Sequence, residues 1–171
     1  MRRVKIAVKK GNLTRQLAVG LGGIVVVALI VANVLLGLAY MHDRQSEQAR
    51  TDAVAAASSE AEAMLGYDFN TVDKSLPKAA DGLTGDFRGQ YMNLVNGTII
   101  PGAKEKQLTV KVSVQGAAVV DARPSDATVL LFLNQVTTSK DSPKAATTGS
   151  RVRVQMSKVD GRWLVSNLTP I

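Results

Sequence analysis

The 171-residue chain has no cysteine and a single histidine, His42. Without cysteine it can form no disulfide, thiol nucleophile or thiolate zinc site. With His42 as the single imidazole, at the edge of a long uncharged run, a histidine-based catalytic triad cannot be assembled downstream. The chain must therefore fold by burying apolar surface, and its inventory argues against an enzyme.

Acidic residues are missing from the first sixteen positions, which hold six of the 21 basic residues. The other 15 basic residues nearly balance the 14 acidic ones, so the net charge of +7 belongs to an N-terminal tail. A nearly neutral remainder does not favour nucleic-acid binding.

Residues 17–40, "LAVGLGGIVVVALIVANVLLGLAY", carry no charge. As a helix they span roughly 36 Å, enough for a hydrocarbon core of about 30 Å. A cleaved signal peptide is the alternative, because Gly37-Leu38-Ala39 places small residues at suitable positions. The apolar run is longer than the usual signal core of about 7–15 residues, which favours an uncleaved helix over residues 17–41. The basic tail, residues 1–16, then lies in the cytoplasm, and the chain after His42 lies on the outer side of the plasma (inner) membrane.

One side of this predicted helix combines small residues with a polar one. At about 100° per residue, a single direction is shared by Ala18, Gly22, Leu29, Asn33 and Tyr40. Such a face suits close packing against a partner helix, with Asn33 as a hydrogen-bonding group. The alternative is that lipid simply tolerates Asn33.

Residues 42–65 predict a juxtamembrane helix that ends at Gly66, and residues 66–171 an extracytoplasmic domain. The apolar stripe of the juxtamembrane helix suits packing on a domain or a partner; it comprises Val54, Ala57, Ala61 and Met64.

Two short helices are predicted at the start of the domain. Asn70 or Thr71 caps the first, which Pro77 keeps short or kinked. Thr84 or Asp86 opens the second, and Pro101-Gly102 ends it. The face of the second that we expect to be buried comprises Phe87, Tyr91, Leu94 and Val95.

The last 64 residues predict four antiparallel strands. Apolar and polar residues alternate over 108–115 until Gly116 interrupts them as a bulge would, and they alternate again over 151–156. Residues 129–133 are apolar on both faces, which predicts a central or doubly covered strand. Asp160-Gly161 is a two-residue hairpin signal. Helices followed by such a meander predict an α+β fold, with the helices on the concave side of a curved antiparallel sheet.

The carboxylates form no recognisable site. Four are best explained as helix caps and turn formers: Asp68, Asp73, Asp81 and Asp86. Asp121 and Asp126 flank a predicted turn at Arg123-Pro124, which suits neither to act as a cavity acid. We therefore assign no catalytic, cofactor-binding or metal-binding residue and expect no cofactor.

The stretches "YDFNTVDKSLPKAADGLTGDFRGQY" and "SRVRVQMSKVDGRWLVSNLTP", with the single predicted anchor, resemble the Mce-associated membrane (Mam) proteins of mycobacteria and related actinobacteria. The resemblance covers the chain from about residue 60 to its end. It implies a cone-shaped domain similar to the SnoaL-like isomerases and to a periplasmic subunit of type IV secretion systems. It also implies association with Mce complexes, which import lipids, and it brings no catalytic residue.

Three functions follow for testing. The first is a non-enzymatic accessory subunit that stabilises or modulates an Mce-type lipid importer, in contact with the permease, the Mce subunits or both, and with membrane lipid. The second is a lipid-binding module, in which residues 129–133 line a cavity instead of a plain core. The third is an enzyme on the cone-shaped scaffold, which needs an acid facing the cavity.

Overall fold

The computed structural model describes residues 46–142 and 144–171, together with Val31 and Asn33. The chain divides into two compact units, residues 1–43 and 44–171. In the first unit, Val31 and Asn33 are helical and exposed; the rest of the predicted tail and transmembrane helix lies outside the described residues. Within the part that the structure describes, no helix has both the length and the hydropathy needed to cross a membrane.

The second unit has helices followed by a sheet, so the predicted α+β fold is confirmed. The helical segments are α1, described over 46–65, α2 (Val72–Ala79), a 3₁₀ turn (Ala80–Gly82), α3 (Gly85–Leu94), a π turn (Val95–Ile99) and α4 (Ile100–Lys106). The strands are β1 (Tyr67–Asp68), β2 (Thr109–Ala122), β3 (Asp126–Thr138), β4 (Ala146–Val159) and β5 (Arg162–Pro170). They form one antiparallel sheet in the order β1-β2-β3-β4-β5. The sheet has five strands where the sequence predicted four, because β1 is only two residues long.

α1 buries a stripe of small side chains in the core of the domain. The buried residues are Ala49, Ala53, Ala57, Ala61 and Met64. A spacing of four residues places these alanines on one side of the helix, and their small size lets its backbone come close to the sheet. The helix ends before Gly66, whose N–H donates to the Glu62 carbonyl at 3.0 Å.

The predicted helix starts are confirmed in position, although neither Thr71 nor Thr84 makes a side-chain capping hydrogen bond, and one predicted end is wrong. Thr71 and Thr84 precede α2 and α3, and α2 stops at Ala79, two residues after Pro77. Pro101-Gly102 does not end the second helix, because helical backbone continues through the π turn into α4. Pro101 closely follows the π turn, at whose end the Ile100 N–H bonds to the Val95 carbonyl five residues back, so the regular pattern that a proline would interrupt is already altered there.

Leu94 is the second departure, since 54% of it is exposed. Tyr91 and Val95 are buried, and the direction midway between them lies about 80° from Leu94 at 100° per residue. The buried face is therefore narrower than the predicted one.

The strands follow the sequence pattern closely. Register shifts lie between Val114 and Gly116 and between Val119 and Asp121, which confirms a bulge at the predicted glycine. Such bulges bend a strand and increase its twist. Asp160 and Gly161 have φ angles of 49° and 79°, the left-handed pair that a tight hairpin turn requires, and β4 and β5 flank them.

The sheet has an inner face toward the helices and an outer face on the other side. On the central strand β3, Val129, Leu131 and Leu133 are at most 2% exposed and point inward. They join one core cluster with the α1 stripe and with inward residues of β4 and β5 such as Val154 and Val165. The outer face carries the residues that alternate with these.

Candidate functional site

The space between helices and sheet is filled by apolar side chains. Among the described residues, the large side chains that are fully buried include Leu76, Leu131, Leu133 and Met156, and no buried residue is polar or charged. Two hydroxyls and one indole N–H in this part are buried without a hydrogen-bond partner: Ser75 Oγ, Ser150 Oγ and Trp163 Nε1. Among these residues the inner face thus provides packing, and no charged side chain is fully buried in it.

Asp68, one of the predicted turn formers, closes a turn after β1. Its Oδ1 accepts hydrogen bonds from the backbone N–H and the side-chain amide of Asn70, at 2.9 and 2.8 Å. Its Oδ2 accepts from Thr109 Oγ1 at 2.9 Å, which links β1 to β2. The backbone bond from Asn70, followed by that from Thr109, lowers the pKa of the Asp68 carboxyl below its ordinary value.

The other predicted caps and turn formers are also structural. Asp73 lies in the first turn of α2 and pairs with Lys104 of α4 at 3.1 Å. The hydrogen bond from Lys104 lowers the pKa of the Asp73 carboxyl. Asp81 pairs with Arg88 at 2.9 Å, and Asp86 lies in the first turn of α3.

Asp121 and Asp126 lie on either side of the β2–β3 turn, as predicted, and both are exposed. Asp121 approaches Arg123 at 3.7 Å. Asp126 accepts hydrogen bonds from the hydroxyls of Ser125 and Ser157, at 2.7 and 3.3 Å. Their register partners place them on the outer face, away from the core, and in the described residues no group of three His, Cys, Asp or Glu side chains is arranged to hold a metal.

Glu60 is a partly buried carboxylate that the sequence analysis did not single out. It projects from α1 toward buried Gly82, and a Cβ at Gly82 would fall on the Glu60 carboxylate. Burial raises the pKa of Glu60, and the positive charge of Arg162 at the start of β5 partly opposes that rise. The position three residues after buried Ala57 hinted at this location, but no local pattern names Gly82 as the neighbour.

The outer face has an exposed aromatic ring at its centre. On β3, Leu130 and Phe132 point outward, and Phe132 is 43% exposed. On β4 they pair with Arg153 and Arg151, whose side chains extend on the same face. These four residues, Leu130, Phe132, Arg151 and Arg153, are named the Phe132 patch.

A shallow hollow of about 210 Å³ lies at one end of this patch. It is bordered by Phe132, Arg151, Gln115, Asn134 and Gly149. Phe132 pairs with Gly116 on β2, and a Cβ there would lie 3.8 Å from the ring. Because Gly116 on β2 and Gly149 on β4 have no side chain, the surface around the Phe132 ring stays open to solvent.

The predicted transmembrane packing face lies outside the described residues except for Asn33, and it stays a prediction. Asn33 is helical and exposed. Ala18, Gly22, Leu29 and Tyr40 lie outside the described residues.

Solved structures share the fold of the second unit. An IcmL-like type IV secretion system protein of Legionella pneumophila superposes with a TM-score of 0.61 at 14% identity, covering 71% of this chain and 93% of that one. CagV, a VirB8 homolog of the Helicobacter pylori type IV secretion system, gives 0.57 at 13% identity, covering 70% and 96%. An NTF2-like superfamily protein of Salmonella enterica gives 0.50 at 9% identity, covering 71% and 91%. Identities this low show the fold alone, which is the cone-shaped α+β fold that the sequence resemblance implied.

No family model matches the chain. It is 36% identical over 154 residues to a Mycobacterium tuberculosis protein named Uncharacterized protein Rv1362c, covering 86% of this chain and 70% of that protein. It is 40% identical over 129 residues to the protein of the same organism named Outer membrane protein Rv1973, covering 75% and 79%. The chain therefore belongs to the family of mycobacterial proteins that includes Rv1362c and Rv1973.

Proposed function

We propose that this protein is a non-enzymatic accessory subunit that associates with an Mce-type lipid import transporter and stabilises or modulates it. The observation that carries the proposal is the contrast between the faces of the sheet. The inner face is filled by side chains such as Leu131 and Met156, whereas the outer face presents Phe132 and two arginines to solvent. A domain with a packed interior and an open aromatic surface suits binding to other proteins.

The sequence resemblance to the Mce-associated proteins implies the partner, which is the permease or the Mce subunits. Membrane lipid surrounds the anchor in this proposal. In the same proposal residues 17–41 hold the protein in the plasma membrane and the second unit lies outside the cytoplasm. One relative is named an outer membrane protein, and solved structures with this fold include a periplasmic domain, that of DotI, so both support an envelope location. Nucleic acid and cofactors have no part in the proposal.

The partner is tested by affinity purification of the tagged full chain from native membranes in mild detergent, followed by mass spectrometry. We expect enrichment of an Mce transporter component. A double variant of the predicted helix face, Gly22→Leu with Asn33→Leu, should reduce that enrichment, whereas Ile24→Leu serves as the matched control. Purification that enriches no transporter component would contradict the proposal.

The location is tested by labelling single-cysteine variants in intact cells, since the natural chain has no cysteine. A membrane-impermeant maleimide should label a cysteine at exposed position 90 of α3 (Gln90→Cys). It should not label Lys9→Cys in the basic tail. Equal labelling of both positions, or recovery of the full chain in the outer-membrane fraction, would contradict a plasma-membrane anchor.

A further inference from the structure

The Phe132 patch places exposed apolar side chains beside two arginines. Phe132 is 43% exposed in the middle of a long central strand, next to outward-pointing Leu130. Arg151 and Arg153 are two positions apart on β4, so their Cα atoms lie roughly 7 Å apart on the same face. The patch is thus a small apolar surface bordered by two positive charges.

Neither guanidinium is neutralised within the part of the chain that the structure describes. The ion pairs found there join other residues, and no hydrogen bond uses the side chain of Arg151 or Arg153. The carboxylates at the end of this face, Asp121 and Asp126, have partners of their own at the β2–β3 turn. Two unpaired guanidinium groups beside an apolar surface complement a partner that carries negative charge.

The volume of the hollow favours a side chain of a protein partner over a small ligand. Its volume of about 210 Å³ is below the roughly 300–1,000 Å³ of typical ligand pockets. It has room for a single side chain that rests against the Phe132 ring. Aromatic residues and arginine are also the residues that dominate protein interface centres.

We propose that the Phe132 patch is a docking surface for an acidic segment of a partner protein, which pairs its carboxylates with Arg151 and Arg153 and inserts one apolar side chain beside Phe132. This goes beyond the proposed function, because it assigns the contact surface and the chemistry of the partner. It does not depend on the partner being a transporter.

The test places the photoreactive residue p-benzoylphenylalanine at position 132 of the full chain, in native membranes. Irradiation and peptide sequencing then identify what lies within reach of the ring. We expect crosslinks to one protein segment rich in Asp and Glu. The matched background position is Gln90, which is exposed on α3.

Charge reversal decides whether the arginines are responsible for the contact. In the photoreactive protein, Arg153→Glu should lower the crosslink yield at least about tenfold, the change that a loss of about 1.4 kcal/mol gives. Exchanging one acid of the crosslinked segment for arginine should restore the yield with Arg153→Glu. Arg50→Glu, on the exposed side of α1, is the control for a general effect of charge.

Four results would overturn the inference: crosslinks to lipid alone, crosslinks to another copy of this chain, yields unaffected by Arg153→Glu, or yields no higher than at Gln90. Thermal unfolding of Arg153→Glu shows that any loss is not caused by misfolding, and Arg153→Gln repeats the test without a reversed charge. A crosslinked acidic segment in a protein unrelated to Mce transporters would support the docking surface and contradict the proposed function. Enrichment of a transporter component, together with a crosslink yield that Arg153→Glu leaves unchanged, would support the proposed function and contradict the docking surface.

Discussion

Leu131 and Phe132 are neighbours on β3 and lie in opposite environments. Leu131 is fully buried against the helices, whereas Phe132 is 43% exposed on the other side of the same strand. A strand that turns large apolar side chains both ways usually has cover on both faces. Here the described helices cover one face, so the apolar residues of the other are available for contact with another molecule.

The two faces also differ in how their polar groups are arranged. Toward the helices, the Tyr91 hydroxyl donates to the Met64 carbonyl at 2.9 Å and ties α3 to the last turn of α1. On the outer face, Arg151 and Arg153 extend without such partners among the described residues. The Tyr91 hydroxyl is thus committed to the fold, whereas the two outer arginines are free to bind.

The largest expected effect comes from opening a cavity on the inner face. Leu131→Ala should lower the free energy of unfolding by roughly 2–5 kcal/mol, whereas Phe132→Ala should cost roughly 1 kcal/mol or less. Urea unfolding of the full chain in detergent measures both, followed by the fluorescence of Trp163, the single tryptophan, which is 8% exposed. Similar costs for the two variants would mean that something covers the outer face in the free protein.

Removing the buried tie between α3 and α1 should have an intermediate effect. Tyr91→Phe leaves the Met64 carbonyl without its partner, which should cost about 1–2 kcal/mol. Tyr67→Phe on β1 is the matched control, because the Tyr67 hydroxyl makes no hydrogen bond within the described residues. If the two variants unfold at the same urea concentration, the Tyr91 hydrogen bond does not contribute to stability.

Much of the sheet could be predicted because its determinants are local. The alternation along β4 and the Asp160-Gly161 turn depend on side-chain period and on left-handed φ angles, and both are visible in a short window. The bulge at Gly116 is equally local. β1 escaped detection because two residues have no period.

The departures in the helices have causes that are not local. Helical backbone passes Pro101 because the π turn before it alters the hydrogen-bonding pattern that a proline would otherwise interrupt. Leu94 is exposed because the packing of Tyr91 and Val95 sets the direction of the buried face. The spacing of apolar residues alone could not decide whether Leu94 lies inside or outside the buried face.

The candidate surface was harder still to predict. The run "VLLFL" at 129–133 looks the same whether its second face is covered or open. The two arginines were visible as alternating residues of β4, but their position beside Phe132 depends on the register between β3 and β4. Register over such a distance is a property of the folded sheet.

A smaller effect is expected at the edge of the inner region, where Glu60 lies against Gly82. Burial raises the pKa of Glu60 above its ordinary value of 4.5, so the folded state holds this proton more tightly than the unfolded state does. The contribution of Glu60 to the free energy of unfolding is therefore fully present below pH 4.5, the unfolded pKa, and is lost as the pH rises through the higher folded pKa. Glu60→Gln should therefore be more stable than the natural chain at pH 7 and nearly equal to it at pH 4.

Arg162 gives a second test of this effect. Its positive charge lowers the pKa of Glu60 and so reduces the stability that is lost between pH 4 and pH 7. Arg162→Gln should make the fall in stability between pH 4 and pH 7 steeper, and Glu60→Gln should abolish that added slope. Urea midpoints at several pH values measure both. Independent slopes in the two variants would show that the groups do not interact.

The smallest effect on folding is expected from Arg153, although the same residue should affect docking strongly. Because Arg153 makes no ion pair within the described residues, Arg153→Gln should change the free energy of unfolding by no more than about 0.5 kcal/mol. Arg88→Gln is the contrasting variant, since it breaks the exposed pair with Asp81 and should cost about 0.2–1 kcal/mol. A cost for Arg153→Gln above that of Arg88→Gln would mean that the outer face already holds its arginines for the fold. A negligible cost leaves their charge available to a partner, which is the property that distinguishes the outer face from the packed inner one.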